Sequence, residues 1–107
     1  MDINQIKERL IQIGYPDNVT TIETAKRLNS LTGKPLDLFQ NWLSNDIMPS
    51  FEPINGVGSD FLMQKLNMTA PALVIAYAML ELEPEENANY FKHLSENIVG
   101  FYPNAKR

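Results

Sequence analysis

The sequence predicts an all-α fold: a compact single domain of about five to six short helices around a central apolar helix (69–83), with an irregular loop at 47–58. Three observations predict it. First, the stretch from Thr69 to Glu83 is apolar on nearly every side. It runs Ala72, Leu73, Val74, Ile75, Ala76, Tyr77, Ala78, Met79, Leu80 and Leu82, with Glu81 the only charge between its ends. A helix that is apolar all round has to be surrounded. Second, apolar residues elsewhere recur at spacings of three and four, the helical period. Third, no segment alternates long enough to build a sheet, and a short pairing inside the loop is the most that is expected.

The first helix is expected from about Asp2 to Ile13. Ile3, Ile6, Leu10 and Ile13 form its stripe, Asp2 caps the start and Gly14 takes the left-handed position after the end. Tyr15-Pro16-Asp17-Asn18 is a turn. Thr20 and Glu23 have capping-box spacing and are expected to open a second helix to about Thr32, stopped by Gly33. Its inward face is Ile22, Ala25, Leu28 and Leu31. Pro35 suits the first turn of a third helix through Asn45, because its missing N–H lies where no intrahelical bond is made. That helix is expected to bury Leu38, Phe39, Trp42 and Leu43.

Pro49, Pro53, Gly56 and Gly58 forbid a continuous helix over 47–58. Ile47, Met48, Phe51, Ile54 and Val57 make the loop apolar, so it is expected to pack across the core as an extended strap. A short helix capped by Ser59 should follow to about Asn67. Thr69 then caps the central helix, with Pro71 in its first turn. Pro84 opens a last helix to about Val99, with Ala88, Phe91, Leu94 and Ile98 inward, and Gly100 stops it. The 107 residues read as a single helical domain over 1–100 and a C-terminal tail over 101–107.

Composition narrows the function classes. A hydrophobic content of 44% argues against wholesale disorder. The absence of cysteine removes disulfides, thiolate metal sites and thiol nucleophiles. Met1-Asp2-Ile3-Asn4-Gln5 lacks a basic region and an apolar core, so no signal peptide is read and a cytoplasmic location is expected. The central run falls short of the roughly 20 apolar residues that a membrane span requires, and no membrane association is expected. The net charge is −4, unevenly spread. Residues 1–35 carry five bases and four acids, whereas residues 36–107 carry four bases and nine acids. An acidic domain repels phosphate backbones unless its bases gather on one face.

Residues 20–49 give helix-turn-helix order, and DNA reading would rest on Lys26, Arg27, Lys34, Gln40 and Asn41. Only Lys34 is positive among the residues of the second helix, and helix-turn-helix order is also the ordinary grammar of an all-α domain. Asn55-Gly56-Val57-Gly58-Ser59-Asp60 puts glycines before a helix start but lacks P-loop spacing, and a turn accounts for it. Glu81, Glu83, Glu85 and Glu86 crowd one helix junction, where negative charge at a helix start is favoured. His93, the only histidine, has no sequence partner for general-base work, and Trp42 reads as core. No enzyme, cofactor or metal assignment follows.

The expected function is a non-catalytic protein-interaction or assembly module whose partner is another protein or a second copy. Its candidate contacts are Phe51 and Ile54 in the strap, Phe101 and Tyr102 in the tail, and spare surface of the central helix. Phe51 and the tail aromatics either pack on their own domain or form an apolar patch of the kind that marks interfaces. The alternative is a nucleic-acid-binding regulator using residues 20–49.

Overall fold

A computed structural model describes residues 2–97. Six helices follow one another: α1 Ile3–Gln12, α2 Val19–Asn29, α3 Gly33–Asn45, α4 Ser59–Leu66, α5 Ala70–Leu82 and α6 Pro84–Asn97. Helix α5 is the expected central post. One side joins α1, α2 and α3 in an apolar cluster that includes Ile6, Leu10, Leu28, Phe39, Trp42, Ala70 and Val74. The other side joins the strap, α4 and α6 around Phe51, Val57, Leu62, Leu73, Ala76, Tyr77, Leu80 and Phe91. Burial from two directions is what a helix without a polar face needs, since either cluster alone would leave half of it in water.

Local chemistry sets the helix ends. Asp2 caps α1 in a reciprocal box: its carboxylate accepts from the Gln5 N–H at 2.9 Å, and Gln5 Oε1 accepts from the Asp2 N–H at 3.1 Å. Helix α2 begins earlier than expected. Its cap is Asn18, whose side chain accepts from the Thr21 N–H at 3.2 Å, and not Thr20. Starting at Val19 turns Thr21 and Thr24 inward, where their hydroxyls donate to the carbonyls of Pro16 and Thr20. Buried hydroxyls satisfied in this way cost little. Ile22 and Leu31 are consequently only half buried.

The end of α2 also differs. It stops at Asn29, and Gly33 opens α3 instead of closing α2, with a φ of +64° that glycine adopts without strain. In α3, Phe39 and Trp42 are buried, whereas Leu38 and Leu43 are half buried. Helix α4 is preceded by Gly58 at the cap position. Ser59 lies inside the helix, and its Oγ accepts from the Phe51 N–H at 3.5 Å. Thr69 precedes α5 but makes no capping bond with its side chain.

The strap packs in part. Phe51 and Val57 enter the core, Ile54 is half buried, and Ile47 and Met48 face solvent. Ile54 and Val57 pair across a two-residue turn through N–H to carbonyl bonds of 2.9 and 3.0 Å. Asn55 and Gly56 both have positive φ, the geometry that a two-residue hairpin turn demands. Gly58 is closely packed: a Cβ there would lie 3.0 Å from Pro53 Cγ and 3.3 Å from its Cα, so Pro53 would have to give by a few tenths of an ångström. The expected continuation of α6 to Val99, Ile98 within it, the stop at Gly100 and the 101–107 tail all lie outside the described residues.

Candidate functional site

The central post emerges at its last turn. Leu82 is 82% exposed, the most exposed of the large apolar side chains among the described residues. It walls an open groove of about 440 Å³ between the end of α5 and the α2–α3 turn. Leu31, Pro35 and Ala78 supply the rest of the apolar lining, and Lys34 and Glu81 supply charge. The positive φ of Gly33 lets the chain turn into α3 here, and a Cβ on it would meet nothing, so the groove mouth is open.

Tyr77 contacts both charged residues of the lining. Its ring is buried and meets Phe51 edge-on, with centroids 4.7 Å apart. Its hydroxyl donates to Glu81 Oε1, and Lys34 Nζ lies 5.5 Å from the ring centroid. Burial pushes the phenol up to about 12, and the hydrogen bond to Glu81 and that residue's negative charge add to the shift. Lys34 and Glu81 thus both engage one tyrosine, yet among the described residues they form no ion pair with each other. Glu83, Glu85 and Glu86 follow within four residues of Leu82, all exposed.

Phe51 packs on its own domain, against Tyr77, and is not itself exposed at the surface. Ile54 is held by its pairing with Val57. Phe101 and Tyr102 lie outside the described residues. Ile47 and Met48 are the exposed apolar part of the strap, and Met48 borders a depression of about 290 Å³ with Ile13, Trp42 and Ala70. Trp42 is core, as expected, with the Arg9 guanidinium 5.0 Å from its ring and ion-paired to Asp46. A wider, open cleft of about 620 Å³ between α1 and α3 is lined by polar and charged side chains, Gln5, Glu8, Arg9, Gln12, Gln40 and Ser44, together with Leu43.

The residues of the nucleic-acid alternative are exposed but dispersed among other contacts. Lys26 pairs with Glu23 at 3.4 Å, and Lys34 is drawn to Tyr77. Helix α2 packs chiefly on α1 and α3 chiefly on α5, so the two helices are not each other's main partner. Arg27, Gln40 and Asn41 face solvent. His93 is exposed, with Asn97 Nδ2 donating to its carbonyl at 3.0 Å. Among the described residues no group of three or more histidines or carboxylates converges as a metal site would require. No helix among them is long and apolar enough to cross a membrane.

Comparison with known protein families, with curated proteins and with solved structures finds no match to this chain. Leu82 escaped sequence reasoning because it belongs to the same apolar run as Leu80. Its position between Glu81 and Glu83 was the available signal, since two flanking charges pull the last turn toward water.

Proposed function

We propose that this chain is a non-catalytic helical module that works by contact with another protein surface, through the groove at the end of α5. The observation that carries this reading is the exposure of Leu82 on a groove already lined by Leu31, Pro35 and Ala78. Single exposed leucines are ordinary, but an exposed leucine on a depression of mixed apolar and polar lining is the composition of a contact site. The dispersed bases on α2 and α3 give the nucleic-acid alternative less support.

The test is site-specific photo-crosslinking in the cell that makes the protein. A photoreactive residue at position 82 is expected to give discrete protein adducts, and one at the exposed Gln64 on α4 is expected to give none. Equal, diffuse labelling from the two positions would remove the reading.

A further inference from the structure

We propose that Asn55 is a site of self-modification: the backbone nitrogen of Gly56 converts it to aspartate and isoaspartate through a cyclic imide, assisted by the Lys92 ammonium. This does not depend on the contact reading above. Asn55 is the only asparagine in the sequence that glycine follows. Both residues are exposed, at the tip of the turn that joins Ile54 to Val57. A side chain on the following residue would shield the attacking nitrogen, and glycine has none. Among the described residues the Gly56 N–H makes no hydrogen bond, because the pair that closes the turn uses the N–H groups of Ile54 and Val57. By contrast, the N–H groups that follow Asn29, Asn45 and Asn67 donate to the carbonyls of Lys26, Trp42 and Leu62.

Lys92 of α6 stands over this turn. A Cβ on Gly56 would lie 3.4 Å from its Nζ, and among the described residues that ammonium forms no ion pair. In the reaction the Gly56 nitrogen gives its proton to hydroxide and bonds to Asn55 Cγ. The Cγ–Nδ2 bond breaks and ammonia leaves. Water then opens the imide at either carbonyl, giving aspartate or, with the chain rerouted through Cγ, isoaspartate. Negative charge gathers on the attacking nitrogen and then on the tetrahedral oxygen, and a cation beside them stabilises it. The left-handed conformation of Asn55, with a φ of +50°, restrains the step, since the positive ψ that accompanies it turns the Gly56 nitrogen away from the side chain. The 55–56 peptide therefore has to flip, and the two bonds between Ile54 and Val57 oppose this. The product carries a new carboxylate near Lys92. Isoaspartate also adds a carbon to the backbone of a two-residue turn, which loosens the strap.

Ageing the whole folded chain in mildly alkaline buffer tests this, with peptide mapping by mass spectrometry and enzymatic methylation of isoaspartate as the readouts. Conversion at position 55 is expected to run at least about tenfold ahead of every other described asparagine, a barrier lower by about 1.4 kcal/mol. Lys92→Gln is expected to slow it about fivefold, as the loss of an exposed charge about 4 Å from the forming anion predicts, and Lys92→Arg to keep most of the rate. Lys92 is exposed, so neither change threatens the fold. Hydrogen exchange of the Ile54 and Val57 N–H groups reports opening of the turn and should be the same in all three proteins. An intact Asn55, or another described asparagine that converts as fast, would overturn the site. A Lys92→Gln rate equal to that of the parent, or one slowed only in step with slower exchange of those two N–H groups, would overturn the assistance.

Discussion

The hydroxyls of Tyr15 and Thr69 meet at 2.8 Å in the interior, 54 residues apart in sequence. This bond joins the turn after α1 to the residue that precedes the central post. Thr69 makes no capping bond with its side chain, so its hydroxyl is directed to the tyrosine instead of to its own helix. A polar pair that bridges two segments inside the core is stabilising only while both members are present.

Tyr15→Phe is therefore expected to destabilise the protein by about 1–3 kcal/mol, because it strands the buried Thr69 hydroxyl. Adding Thr69→Val should recover much of the loss, since both polar partners are then gone. Urea denaturation of the two single variants and the double variant gives the cycle. Additive losses would show that the two hydroxyls do not act together.

The start of α2 gives a sharper local test. Asn18→Ala removes the observed cap and is expected to cost about 1 kcal/mol, whereas Thr20→Ala, at an exposed position, should stay within about 0.5 kcal/mol. The reverse order in thermal melts would return the cap to Thr20.

Ala76 lies in the middle of the post and is 1% exposed, within the cluster formed with the strap, α4 and α6. Ala76→Asp would place an unpaired carboxylate there, and the expected loss is at least about 3 kcal/mol. A melting temperature equal to that of the parent protein would mean that water reaches this helix.

Tyr77 makes stability fall in alkali. Its phenol, ordinarily near 10, is pushed up to about 12 in the folded chain, first by burial and then by Glu81. The folded state thus holds the phenol proton more tightly than the unfolded chain. The resulting stabilisation is complete below pH 10 and is lost as the pH climbs through about 12. The phenolate absorbance of the parent protein minus that of Tyr77→Phe should display the late titration. Glu81→Gln should bring it earlier while leaving it above 10, because burial is the larger cause. A difference titration centred at the ordinary value would contradict the packing of this ring.

Much of the helical layout was legible because its causes are local. Asp2, Pro35, Pro71 and Pro84 sit where helix starts favour them, and the three- and four-residue spacing of Ile6, Leu10, Ala88 and Phe91 marks inward faces. The Asn55-Gly56 turn was legible too, as a dipeptide suited to two positive φ angles, although only a short pairing in that loop was anticipated. The cap of α2 was not, because Asn18 and Thr20 are both competent caps and spacing alone does not choose between them. The choice fell to the packing that turns Thr21 and Thr24 inward.

By itself the sequence determined that α5 has no polar face and so must be enclosed by its neighbours. What the tertiary structure decided is where that enclosure stops. Phe51 and Leu82 are both apolar residues beside charged or turn-forming neighbours, yet one lies against Tyr77 in the core and the other stands 82% exposed. Hydrophobicity is a property of the side chain alone. Burial depends on which segment of the chain arrives opposite it, and that is set by the assembled helices.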